Sequence, residues 1–376
     1  MFSIGEESGS VLAFDLEGRI IFATLGKYTI RRSLMNRYVK ITLKGGERRV
    51  ESLGDKDIEE ALSEIRGTLE SFIVSANDDG LRKELENFGK KLDAEWLTQD
   101  GENLKRIYHG GVPIVPPDQY FSLYIRYTNG CSWNRCSFCR LYPGMEYGVM
   151  SLDNVERQID QLHEALGRGF ESRRTVFLGD ANAISTRTEM LIDVLNLIKR
   201  RINLPVYAFS DAFTTPRNKS CDDFVILRQH GLSRIYVGIE SGDGDVLKIL
   251  NKPMDLNVAR EEISQIKAAG ISVGAIVMSG AGGRKYSSQH VSRTVDFIAS
   301  LPLGRGDIVY ISPIVTYPDS EYGRIAKDRN LGIMDEDENI RQALLIRNSL
   351  KDKWKTLYGR NPDFPIAPYL LAESIY

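Results

Sequence analysis

Cys131, Cys136 and Cys139 fall within nine consecutive positions of a 376-residue chain that has four cysteines in all. They stand in the run Tyr-Thr-Asn-Gly-Cys-Ser-Trp-Asn-Arg-Cys-Ser-Phe-Cys-Arg. Three thiolates on one short loop can hold three irons of a [4Fe–4S] cube. The fourth iron then has no protein ligand and stays open to a small molecule. Structural zinc is the rival, but it asks for four ligands, usually in two C-x-x-C halves. This chain has one such half and no second pair nearby, with His109 and Cys221 as remote candidates for a fourth ligand.

A loop of this kind needs a scaffold, and the sequence alternates apolar strands with amphipathic helices from Phe121 onward. The expected strands are Ser122–Tyr127, Arg174–Leu178, Val206–Phe209, Arg234–Ile239, Ser272–Met278 and Asp307–Ile311. The expected helices are Asp153–Leu166, Thr188–Arg200, Asp222–Gln229, Leu256–Ala269 and Ser288–Ser300. Strand–helix alternation implies a parallel sheet with right-handed crossovers. Six such units are too few for a complete eight-fold barrel. The cysteine loop follows the first strand of the series, and the carboxyl ends of parallel strands are where such folds bind ligands.

The first hundred residues have a different texture. Short strands are expected at Val11–Leu16, Arg19–Leu25 and Tyr38–Leu43, with helices near Asp57–Ile73 and Asp78–Leu92. Residues 98–120 contain Gly110-Gly111, Pro113, Pro116 and Pro117 and read as a linker or an ordered arm. Asp335–Tyr358 reads as a charged helix before a proline-rich tail. The expected division is therefore 1–97, an N-terminal α+β domain; 98–120, a linker or arm; 121–325, the strand–helix series; and 326–376, a C-terminal helical extension.

The cysteine run is similar to that of the radical S-adenosylmethionine (SAM) superfamily, whose commonest signature is C-x3-C-x2-C with an aromatic before the last cysteine. Here the spacing is C-x4-C-x2-C, with Phe138 in the aromatic place. The extra residue resembles a variant in the branch related to coproporphyrinogen dehydrogenases and tRNA methylthiotransferases. The resemblance implies a partial (β/α)6 barrel of radical SAM type, a [4Fe–4S] cluster on Cys131, Cys136 and Cys139, and SAM as second cofactor. Gly179-Asp180 ends the second strand and resembles the family's Gly-Gly-Glu segment, with Asp180 in the acidic position. Glu240, in Gly-Ile-Glu-Ser-Gly, resembles the residue that receives the ribose or amino group of SAM. Lys248 and Lys252 follow it, and the resemblance makes a lysine here a partner for the SAM carboxylate. Ile276 lies in the strand whose backbone flanks adenine, and Ser210 ends the third strand, where it can meet SAM or substrate. The implied chemistry is reductive cleavage of SAM to a 5′-deoxyadenosyl radical that takes a hydrogen atom from a substrate. An external electron donor such as a ferredoxin or flavodoxin is implied as well.

The remaining sequence bounds the partners. A net charge of −2 does not advertise a polyanion. No apolar run is long enough to cross a membrane. The N-terminus has neither the basic nor the apolar region of a secretory signal, and the cysteine usage fits a reducing, cytoplasmic setting. Cys221 reads as a structural thiol, so no auxiliary cluster is expected. Asp160-Gln161-Leu162-His163 has the wrong spacing for a cobalamin segment. Between Lys27 and Arg49 there are eight basic residues and one acid. They could meet tRNA or another anionic substrate, or form a solvated strand face; a small molecule, lipid or peptide is the other substrate class. A non-catalytic iron–sulfur protein for electron transfer or sensing is the alternative from a different class.

Overall fold

The computed structural model describes residues 1–5, 9–44, 47–215, 219–373 and 376. They divide into two compact units, Met1–Leu123 with Glu156–Thr175 and Leu371–Tyr376, and Tyr124–Val155 with Val176–Leu370.

In the first unit, β1 (Phe2–Gly5), β2 (Val11–Phe14), β3 (Ile20–Leu25), β4 (Tyr28–Arg32), β5 (Tyr38–Lys44) and β6 (Glu47–Ser52) form a six-stranded sheet in sequence order. Every neighbouring pair is antiparallel. Helices α1 (Asp55–Ser75), α2 (Asp79–Lys91) and α3 (Ala94–Ile107) follow. Leu12, Phe14 and Ile30 of the sheet share one buried core with Leu62, Ile65 and Phe88 of the helices. The stretch 98–107 is therefore helix. Asp93 caps it by accepting from Trp96 N, and its buried residues Leu97 and Leu104 keep helical spacing.

Arg32 is not a surface cation. It is 5% exposed and donates to Asn36 Oδ1 at 2.8 Å, Leu97 O at 2.9 Å and Asp100 Oδ2 at 3.3 Å. Arg19 grips both oxygens of the same aspartate at 2.9 and 3.0 Å. One buried carboxylate thus serves two guanidinium groups. Arg31 and Arg48 both face Glu373, at 3.9 and 2.6 Å.

The second unit begins with β7 (Leu123–Arg126), whose first residue belongs to the other unit. The two-residue strands β8 (Thr128–Asn129) and β9 (Gly148–Val149) pair antiparallel and close the base of the cysteine loop. After α4 (Leu152–Leu166) come β10 (Val176–Gly179), α5 (Thr188–Arg201), β11 (Val206–Ser210), α6 (Cys221–Gln229), β12 (Leu232–Glu240), α7 (Gly244–Ile249), α8 (Leu256–Ala268), β13 (Ser272–Ser279), α9 (Gly283–Ala299) and β14 (Ile308–Pro313). The chain continues through α10 (Glu321–Asp328) and α11 (Glu336–Tyr358) to β15 (Ile366–Pro368). The sheet runs β15-β14-β13-β12-β11-β10-β7, and the registers from β10 through β15 are all parallel. This is the expected partial barrel, with one more strand at its edge than the alternation predicts. β15 comes from the proline-rich tail, where Val309 N donates to Pro365 O and Tyr369 N to Ile311 O.

Helix α9 starts five residues before its expected first residue. Gly282 takes the left-handed conformation at its N-cap (φ 79°), and Arg284 N and Lys285 N donate to Gly332 O and Leu331 O. These carbonyls satisfy donors that a helix start leaves open. No helix among the described residues is long and apolar enough to cross a membrane.

Candidate active site

The cysteine loop leaves β7 and is tied down on several sides. Ser137 N donates to Leu250 O at 3.0 Å, and Ser137 Oγ donates to Ile249 O at 2.9 Å. Both carbonyls lie at the C-terminal end of α7, where a helix leaves its acceptors unpaired. Tyr322 N returns to Ser137 O at 2.9 Å. Trp133 Nε1 donates to Asn251 O at 2.9 Å, and Asn251 Nδ2 donates to Arg135 O at 2.7 Å. Phe138 packs against the buried cluster that includes Val246, Ile249, Leu250, Ile314 and Tyr322. The aromatic before the last cysteine is thus an apolar anchor for the loop.

All four cysteines are free thiols. Burial pushes the Cys136 thiol up to about 12, with Lys252 opposing and Glu240, Cys139 and Cys131 adding. Burial also raises Cys139, which its backbone bond to Leu141 opposes. Asn134, at φ 47°, turns its N–H onto Cys131 Sγ at 3.4 Å. Among the described residues, no three His, Cys, Asp or Glu side chains converge as one ion would require. Cluster ligands need not converge, because each thiolate binds a different iron at a corner of the cube. The donor set fits that group: three unpaired thiols on one clamped loop, with a backbone N–H directed at one sulfur.

Glu240 and Lys252 lie beside these thiols. Lys252 Nζ donates to Glu240 Oε1 at 3.1 Å, and the lysine is 6% exposed. Burial works against the ammonium, but the Glu240 carboxylate, with Cys136 adding, holds it above the usual lysine value. Glu240 sits in the left-handed region at φ 62°, where the β12–β13 register shifts. Gly238 makes room for the pair, because a Cβ there would stand 2.7 Å from Glu240 Oε1 and 3.1 Å from Lys252 Nζ. Lys248, by contrast, is on the surface, paired with Asp245 at 2.9 Å.

Asp180 has another set of neighbours. Its Oδ1 accepts from the Tyr124 hydroxyl and from Arg126 Nε at 3.3 Å, and its Oδ2 accepts from Gly130 N at 3.0 Å. Gly130 immediately precedes Cys131, so this carboxylate braces the root of the loop. Gly179 is required by the same cluster, since a Cβ would collide with the Tyr124 ring. Ser210 turns its hydroxyl to Glu262 Oε1 at 2.9 Å and Thr215 Oγ1 at 3.1 Å. Ile276 lies in β13 between Gly238 and Tyr310 and is 8% exposed.

Sequence reasoning missed Tyr124, Arg126 and Glu262. The first two look like ordinary strand residues. Glu262 carried a signal, because it shares the helical stripe of Ala259, Ile263 and Ile266, all buried.

The family model described as the radical SAM superfamily matches residues 125–298. No curated protein matches. Among solved structures, coproporphyrinogen III oxidase (HemN) from Escherichia coli is 16% identical over 64% of this chain and 54% of its own, with a TM-score of 0.45. The methyltransferase TsrM from Kitasatospora setae is 17% identical over 56% of this chain and 41% of its own, with a TM-score of 0.44. Methylornithine synthase (PylB) is 12% identical over 80% of this chain and 81% of its own, with a TM-score of 0.44. The chain thus spans about half the length of HemN and less of TsrM.

Proposed function

Because residues 125–298 match the radical SAM superfamily model, we propose that this chain is a radical SAM enzyme, that Cys131, Cys136 and Cys139 hold a [4Fe–4S] cluster and that SAM binds at its open iron. When bound and reduced, that pair supplies a 5′-deoxyadenosyl radical for hydrogen-atom abstraction. The chain's own residues bind, orient and shield. The observation that carries the proposal is the Glu240–Lys252 pair next to Cys136, its lysine buried and its glutamate half-buried. The methionine end of SAM carries one ammonium and one carboxylate. An acid and a base already held together can exchange partners with it without leaving a charge unpaired in the interior. Gly238 leaves the space for that exchange, and Ile276 offers strand backbone and an apolar side chain for the adenine. Phe138 fixes the loop, and Gly179 and Asp180 hold its root rather than offering a free carboxylate.

The substrate is the open part of this function. The basic run between Lys27 and Arg49 of the first unit is where a tRNA or another anionic substrate was expected to bind. Arg32 is buried there, and Arg31 and Arg48 share Glu373; three of the eight basic residues are thus engaged within the fold, which weighs toward a small molecule, lipid or peptide. The proposed reductant is a ferredoxin or flavodoxin in the cytoplasm.

Anaerobic reconstitution with iron and sulfide, then dithionite and SAM, tests the core of the proposal. The expected product is 5′-deoxyadenosine. A chain that assembles the cluster but neither binds nor cleaves SAM would be the electron-transfer or sensing protein instead. Bulk tRNA that fails to bind at low salt would remove the nucleic-acid branch.

A further inference from the structure

A polar chain, buried from Glu262 to Asn182 and reaching the surface at Ser132, leads from α8 to the cysteine loop, and the proposed function does not use it. Glu262 is 2% exposed, and its Oε2 has no hydrogen-bond partner. Its Oε1 lies 2.9 Å from Ser210 Oγ, which lies 3.1 Å from Thr215 Oγ1. Thr215 Oγ1 is 3.4 Å from Asn182 Oδ1, and Asn182 Nδ2 is 2.7 Å from Thr214 Oγ1 and 3.3 Å from Ser132 Oγ. Ser132 is the residue after Cys131.

Counting protons decides the state of this chain. The Asn182 amide oxygen only accepts, so the single Thr215 proton goes to it. The Ser210–Thr215 contact then takes the single Ser210 proton. The Glu262–Ser210 contact is left needing a proton from the carboxyl group itself. All three contacts form together when Glu262 is a neutral acid. As a carboxylate it would draw the Ser210 proton to itself and leave two lone pairs facing each other one step further on.

The electrostatics agree. Burial pushes the Glu262 carboxyl up to about 8, with the Ser210 hydrogen bond opposing and the Asp211 charge adding. The packed neighbours offer little to reverse this. β13 carries no titratable side chain; α6 carries Asp222 and Asp223 beside Cys221 and Arg228, which turn toward Gln265 O and Gly270 O; β11 carries Tyr207, and β12 carries Arg234, Tyr236 and Glu240.

We propose that Glu262 is a positioning residue: as a neutral acid it orders Ser210, Thr215 and Asn182, fixes Ser132 in the loop that carries Cys131, and releases that loop when it ionises. The inference rests on the assignment of this loop to the cluster. Its test compares wild type, Glu262→Gln and Ser132→Ala by two measurements. The glutamine amide donates as the acid does but cannot ionise.

The first measurement is thermal melting of the metal-free chain. The raised carboxyl makes wild-type stability fall as pH rises from about 4.5 to about 8 and then level off. The melting temperature of Glu262→Gln should lack most of that fall, and Ser132→Ala should keep it. The second is the electron paramagnetic resonance spectrum of the reconstituted, reduced protein at about pH 7 and about pH 9, on either side of the carboxyl's titration. The wild-type spectrum should change between them, and neither variant's should. Identical pH dependence of wild type and Glu262→Gln in both measurements overturns the proposal. A spectral change that survives in Ser132→Ala overturns the transmission to the loop. A wild type that takes up no iron while the melting difference persists upholds the ionisation of Glu262 and overturns the cluster assignment alone.

Discussion

Replacing Asp180 by asparagine tests the brace at the root of the cysteine loop. The carboxylate accepts from Tyr124, Arg126 and Gly130. Asparagine keeps one accepting oxygen, which can still take Tyr124 and Arg126. Its NH2 group replaces Oδ2 and faces the Gly130 N–H, donor against donor. Arg126, 4% exposed, also loses its counter-charge. Burial already works against that guanidinium, and Tyr124 and Asp180 hold it charged. Removing one partner of a buried pair costs about 3–5 kcal/mol, and a hydrogen bond to a charged group is worth ~1.5–3 kcal/mol. One carboxylate supplies both, so the two do not add, and the expected loss is about 3–5 kcal/mol. Folded chains hold ~5–15 kcal/mol, so the variant should fold but unfold far more readily. The assay is urea unfolding of the metal-free chain by tryptophan fluorescence, where Trp133 and Trp354 report on the second unit. The midpoint should fall steeply, and iron content after reconstitution should fall with it. Tyr124→Phe leaves Arg126 and Gly130 in place and should cost less, ~1.5–3 kcal/mol. An Asp180→Asn loss under about 1 kcal/mol with full iron content would refute the brace.

Alanine at Cys131, Cys136 or Cys139 should reduce reconstituted iron and sulfide to background, whereas Cys221→Ala should keep the full content; equal losses at all four would contradict the assignment. Because Cys136 is pushed up to about 12, it is a protonated thiol at neutral pH, and its thiolate fraction rises about tenfold per pH unit. Cluster assembly on the metal-free chain should therefore speed up from about pH 7 to about pH 9, and a flat rate would be the contrary result. Gly238→Ala puts a Cβ 2.7 Å from Glu240 Oε1. The flexible ends of Glu240 and Lys252 can yield, so stability should change by less than ~2 kcal/mol while SAM affinity falls at least about tenfold by calorimetry.

What the sequence revealed follows from period and chemistry. β10 through β14 are apolar runs between amphipathic helices, and each was expected within a few residues of its observed bounds. β4 (Tyr28–Arg32) and β6 (Glu47–Ser52) escaped notice because most of their residues are charged or polar, and pairing with β3 and β5 for the one and with β5 for the other makes them strands. β15 escaped because Pro365 precedes it and Pro368 ends it, and proline is tolerated on an edge strand. In the site, the thiol spacing and the residues at strand ends were visible, since they are local patterns. The partners of those residues were not. Nothing local says that Asp180 will be shared by Tyr124, Arg126 and Gly130, or that Ser210 will meet a glutamate 52 positions away.

The clamp on Ser137 has a consequence for biosynthesis. The loop that bears the three thiols leaves the ribosome well before Ile249 and Leu250, and roughly 180 residues before Tyr322, so at ~5–20 residues per second it waits on the order of ten to forty seconds for its last tether. During that interval the thiols are carried by an unanchored segment, open to oxidation and to stray metals. Slowing translation between residues 140 and 322 should lower the fraction of chains that receive a cluster without altering the folded product's sequence or stability.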